Sequence, residues 1–171
     1  YIYNFLIEFK SYICIKKNKE MCIYNLLWMG NVQSPKKVNY EDIQLIISKK
    51  KQNILLINTL ELKEQECLIP NTVSVHQEEK IINTNLKNNT LEIVIYGKNN
   101  SDKSVEKKYL KLSELGFTNI YIYPGGIFEW LCLQDIYGSS SFPTTKLELG
   151  ADILKYKQKS LFCNYMLTNI D

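Results

Sequence analysis

The stretch EIVIYGKNNSDKS, residues 92–104, passes from a β-branched run through a polar turn into the start of a helix, the arrangement in which many α/β proteins seat an anion. After Gly97, the groups that could act there are Lys98, Asn99, Asn100, Ser101, Asp102, Lys103 and Ser104. A phosphate loop of the Walker type needs closely placed glycines, and this turn has Gly97 alone. A thiol enzyme needs a cysteine, and the turn has none. Ser101 and Ser104 have no histidine base within the motif, so neither reads as a nucleophile. Weak oxyanion binding is the milder expectation. The turn amides meet the positive end of the helix beginning near Asp102, with Lys98 and Lys103 beside them. Asp102 works against it, because a carboxylate inside the turn can take the same amide donors, and with Ser104 it reads as support for the helix N-terminus.

Few other residues suggest chemistry. Cys14, Cys22, Cys67, Cys132 and Cys163 include no Cys-x-x-Cys pair, and with a single histidine the chain is expected to hold no metal and no cofactor. An odd number of cysteines favours a reducing compartment, hence the cytoplasm. Cys67 is the alternative nucleophile, because its turn is expected at the same end of the sheet as Gly97; the plainer reading is a small, partly buried apolar residue. His76 reads as a solvated loop residue after a short strand.

The elements that must position these residues alternate. Asn39 caps an amphipathic helix with Asp42 three residues on and Ile43, Ile46 and Ile47 inward. NILLINTL, TVSV, LEIVIYG and NIYIYPGG read as strands, the second starting at Thr72. DKSVEKKYLKLSELGF is a helix with Val105, Tyr109, Leu112 and Leu115 on one stripe and Gly116 as its C-terminal cap. IFEWLCLQDIYG is the last helix, with Ile127, Trp130, Leu131 and Leu133 inward and Phe128 and Tyr137 either packed against the tail, the more frequent outcome, or outward as a partner-binding edge. Strands alternating with helices and lacking tight hairpins imply an α/β fold with a parallel sheet covered on both faces. The 171 residues, 45% hydrophobic, suffice for one domain core, and the net charge of +3 is spread along the chain, which disfavours a nucleic-acid partner. All 21 basic residues are lysine, so no planar bidentate fork is on offer to phosphate or carboxylate.

Over roughly residues 38–138 the sequence resembles the rhodanese-like (thiosulfate sulfurtransferase) family. The resemblance lies in LLINTLELKEQECLIPNTVSV, in IVIYG followed by KS, and most specifically in LGFTNIYIYPGGIFEW, with its Gly-Phe, strand and Gly-Gly-x-x-x-Trp. It implies a three-layer sandwich, a mainly parallel sheet of about four to five strands with helices on both faces. It also implies an active-site loop at Gly97 to Ser104, with Gly97 where the family has its catalytic Cys and Lys103 where it has Arg. The five residues between Gly97 and Lys103 match the longer loop of the related cell-cycle phosphatases. Asn58 stands where the family has Asp, so charge is lost at a second site position. The function implied is a non-catalytic rhodanese-like module that binds or scaffolds an unknown protein partner; the alternative is a sulfurtransferase or phosphatase-like enzyme with a displaced nucleophile.

Residues 1–28 are unlike the rest, and their charges interrupt any span long enough for a bilayer. Residues 29–37 read as a linker or as an acylatable N-terminus. MGNVQS, from Met29, fits the N-myristoylation pattern with Gly30 as acceptor and Lys36-Lys37 following, so a start at Met29 would allow peripheral membrane contact. Residues 139–171 read as a C-terminal tail of unreadable function, with a short helix near Leu147 to Tyr156.

Overall fold

The structure is a computed structural model that describes residues 34–49, 53–146 and 152–160. The chain divides into two units, Tyr1–Ser34 and Pro35–Asp171, and the described elements belong to the second. Three short apolar runs form its central strands, β2 (Ile54–Asn58), β3 (Glu92–Tyr96) and β4 (Ile120–Tyr123), and Lys36–Lys37 form a two-residue edge strand, β1. All pair in parallel in the order β1-β4-β3-β2, with Ile57 opposite Ile95 and Ile95 opposite Ile122.

Alternation along each strand feeds two cores. Leu56, Val94, Tyr96 and Tyr123 point to one face, where α1 (Tyr40–Lys49) contributes Ile43 and α4 (Gly126–Tyr137) contributes Ile127, Trp130 and Leu131. Ile57, Ile93, Ile95 and Ile122 point to the other, covered by Ile82 of α2 (Val75–Thr84) and by Val105 and Leu112 of α3 (Lys103–Glu114). The result is the three-layer α/β sandwich expected from the sequence, with four strands among the described residues. Asn39 and Asp42 cap α1 reciprocally, each side chain accepting the other's backbone N–H at 3.0 Å. Gly116 ends α3 with φ +96°, as its position suggests. No described helix is long and apolar enough to cross a membrane.

Several local expectations fail. TVSV is not a strand: Thr72 makes one isolated parallel bridge with Leu56, the Val73 N–H donates to the Leu56 carbonyl, and helix α2 begins at Val75. The preceding turn is made possible by Asn71, which holds φ +64°, a left-handed conformation that asparagine tolerates better than most residues. His76 therefore sits, exposed, in the first turn of α2 rather than in a loop. Leu115, assigned to the inner stripe of α3, is 43% exposed, because the helix ends there and its last turn leaves the sheet. Leu133 is only partly buried, and Phe128 packs against the core while Tyr137 stays exposed.

Beyond α4 the chain remains part of the fold. Phe142 is buried edge-on to Trp130, with ring centroids 5.0 Å apart, and the Trp130 indole N–H donates to the Pro143 carbonyl at 2.9 Å. A 3-10 turn, Ile153–Tyr156, brings Tyr156 into the same core with no exposed surface. The short helix expected near Leu147 is represented by this turn alone among the described residues.

Candidate functional site

The turn between β3 and α3 lies at the carboxyl end of the sheet, where ligands bind in α/β folds. Its centre is occupied by one of its own side chains. Asp102 caps α3: Oδ1 accepts the Ser104 N–H at 3.0 Å and the Ser104 hydroxyl at 2.6 Å, and Oδ2 reaches across to accept the Lys98 N–H at 2.9 Å. The Ser104 hydroxyl also meets Thr59 Oγ1 at 2.7 Å, tying the turn to the end of β2. Asn99 completes the ring by accepting the Ser101 N–H and donating its amide to the Tyr156 carbonyl at 2.6 Å. Two of the amides that would face an anion are thus already taken by a carboxylate.

Gly97 is buried beneath this arrangement. A Cβ there would stand 2.5 Å from Asp102 Oδ2, 2.6 Å from Val105 Cγ2 and 2.9 Å from Thr59 Oγ1. Its carbonyl and that of Lys98 accept the N–H groups of Ile127 and Phe128, which locks the turn onto the start of α4. Gly126 permits that approach with φ +61°.

The two flanking lysines differ. Lys98 pairs with Glu64 at 2.8 Å, and that carboxylate holds its ammonium above the ordinary lysine value despite partial burial. Lys103 is exposed at the first position of α3 and forms no ion pair among the described residues. Asn58, at the end of β2, is 3% exposed; its Oδ1 accepts the Leu60 N–H, and its Nδ2 has no hydrogen-bond partner. An unsatisfied buried donor costs about 1–3 kcal/mol.

Cys67 is inside the core that holds Tyr96 and Tyr156, 2% exposed, with its thiol directed at the Lys146 carbonyl 3.6 Å away. Cys132 is half-buried on α4, where burial, and then Asp135 and Glu129, push its thiol pKa up and keep it protonated near neutrality. Tyr123 and Tyr96 are buried, and burial above all raises both phenol pKa values; Glu129 adds to the effect at Tyr123. No cluster of metal-ligating side chains occurs among the described residues. Gly30, Cys14, Cys22 and Cys163 lie outside them.

Gly97, Asp102 and Ser104, named together from the sequence, lie together in the turn. The sequence gives no sign of Thr59 and Tyr156, whose links to the turn cross 45 and 57 residues of chain. Nor does it single out Lys107 and Lys111, which share a cleft with the unforeseen helix α2.

The profile of the Rhodanese-like domain matches residues 40–132. Among solved structures, the single-domain sulfurtransferase of Saccharomyces cerevisiae is 19% identical, covering 66% of this chain and 99% of its own, with TM-score 0.49. A protein of Bacillus halodurans is 19% identical over 67% of this chain and 82% of its own, with TM-score 0.48. A yeast protein tyrosine phosphatase of the rhodanese family is 11% identical over 67% and 94%, with TM-score 0.49. No curated protein matches the sequence.

Proposed function

The chain belongs to the rhodanese-like domain family, and from that premise we propose that it works as a non-catalytic module that binds or scaffolds a protein partner. The observation that carries this reading is Asp102, whose carboxylate lies where a side chain on Gly97 would project and consumes the Lys98 and Ser104 amides. Sulfur and phosphoryl donors of this chemistry are anions. A fixed carboxylate opposes them by charge, and a glycine offers no thiolate to attack them. Tyr156 adds to the closure, because its backbone carbonyl binds Asn99 and its hydroxyl donates to the Glu64 carbonyl at 3.2 Å. Peripheral membrane contact through Gly30 would join this role if the mature chain began at Met29, and one acyl chain with Lys36-Lys37 would give only modest, reversible attachment.

The purified protein is expected to transfer no sulfur from thiosulfate to cyanide and to hydrolyse no phenyl phosphate above the buffer blank. Turnover that vanishes in Cys67→Ser would overturn the module reading in favour of an enzyme with a displaced nucleophile. The filled turn has its own test. Asp102→Ala removes the α3 cap and should cost about 1–2 kcal/mol in urea unfolding. It also frees two amides, so sulfate should raise the Tm of the variant more than that of the unaltered protein at equal concentration. Equal shifts would mean that sulfate acts only by exclusion from the surface.

A further inference from the structure

We propose that the cleft between α2, α3 and the turn after β2 is a docking site for an acidic peptide segment, one apolar side chain entering the cleft while carboxylates meet Lys107 and Lys111. This rests on the binding-module reading and specifies the partner's chemistry.

The cleft has a volume of about 400 Å³, room for one or two side chains. Apolar groups flank it: Leu62 is 69% exposed and Val75 is 37% exposed. Asn58 also lines it. Because Asn58 Oδ1 is fixed by the Leu60 N–H, the group left over is the Nδ2 donor, buried and without a partner. That atom is itself sealed from solvent, so an occupant of the cleft is sensed there through the packing and not by direct contact.

The rim supplies the charge. Lys107 and Lys111 lie one turn apart on α3, both exposed and without an ion pair among the described residues. Lys108, between them in sequence, is neutralised by Glu78 of α2. Lys107 and Lys111, their backbones about 6 Å apart along the helix axis, suit acidic residues at alternate positions of an extended segment, which recur at about 6–7 Å. A flat anionic surface would meet the lysines but leave the cleft beside Val75 and Asn58 unfilled.

The test uses the full chain and a fluorescein-labelled peptide, Glu-Leu-Glu-Leu-Glu, with Gln-Leu-Gln-Leu-Gln as its uncharged match. Anisotropy should show saturable binding of the acidic peptide that weakens with salt, and binding about tenfold or more weaker for the glutamine peptide and for Lys107→Glu/Lys111→Glu. The same reversal at exposed Lys80 and Lys87 should leave binding unchanged, and the Asn58 side-chain amide should shift in ¹H–¹⁵N spectra during titration. No saturable binding up to about 1 mM, undiminished binding by the Lys107/Lys111 variant, equal loss in the Lys80/Lys87 variant, or an unmoved Asn58 amide would each overturn the site. Phosphatidylserine vesicles that bind with the same Lys107/Lys111 dependence and displace the peptide would assign the surface to a membrane instead. Failure here with a blank thiosulfate assay removes this site alone, whereas turnover in that assay removes the module reading.

Discussion

Gly126→Ala is expected to lower the unfolding free energy by about 3 kcal/mol or more, read as a shift of the urea midpoint at unchanged slope. Gly126 holds φ +61°, where an L side chain costs about 1–2 kcal/mol. The added Cβ would also press on the Gly97 carbonyl oxygen and stand 2.8 Å from the Lys98 carbonyl carbon and oxygen. These are backbone atoms, and they cannot retreat freely. The Gly97 and Lys98 carbonyls accept the Ile127 and Phe128 N–H groups at 2.9 and 3.0 Å, and moving them gives up bonds that contribute about 1 kcal/mol each. Gly125 is the internal control. Its φ of −61° suits any residue, and the three atoms nearest a Cβ there all belong to the Glu129 side chain, among them its Cβ at 2.7 Å, so Gly125→Ala carries crowding without left-handed strain. A loss under about 1 kcal/mol at Gly126 would mean that the turn beneath Asp102 is loosely held, and Asp102 would then not be filling a fixed site.

The same residues show which parts of the fold the sequence makes legible. β2, β3 and β4 are short unbroken apolar runs, because strands buried on both faces have no polar side to show, and each stands out from its surroundings. β1 does not. Lys36 and Lys37 are exposed, and they are a strand only because the edge of β4 offers partners, as in the Val38 N–H to Ile122 carbonyl bond of 2.9 Å. Helix α2 is obscured for the opposite reason: the β-branched run at its start reads as a strand, and Ile82 is its one buried residue, so no apolar stripe announces it. Missing α2 hides the cleft, since nothing then faces Lys107 and Lys111. In the site itself Asp102 is legible from residue type and position, because capping is local. Thr59 and Tyr156 are not, because their contributions depend on which distant segments the fold lays beside the turn.

Tyr156→Ala should be nearly as costly, about 3 kcal/mol or more, although its segment reads in sequence as a dispensable tail. Tyr156 has no exposed surface and shares a core with Leu56, Tyr96 and Trp130. Truncation leaves a cavity between β2, α4 and the Glu61–Cys67 segment that the sheet cannot close, and cavity and lost burial add. The cost has a ceiling. It cannot exceed what docking of Ile153–Tyr156 contributes, because past that point the segment detaches and releases its ordering entropy. Trypsin reads the difference between a cavity and a detached segment: Lys155 and Lys157 flank Tyr156, and cleavage there should accelerate sharply in Tyr156→Ala while the core stays intact. Tyr156→Phe separates the hydroxyl from the ring. It gives up the bond to the Glu64 carbonyl, worth about 1 kcal/mol, together with the hydroxyl's contact with Lys155, and should leave the tryptic pattern unchanged. Slow cleavage of the Ala variant together with an unaltered urea midpoint would show that Tyr156 covers the domain without holding it, and the turn at Asn99 would then be closed by Asp102 alone.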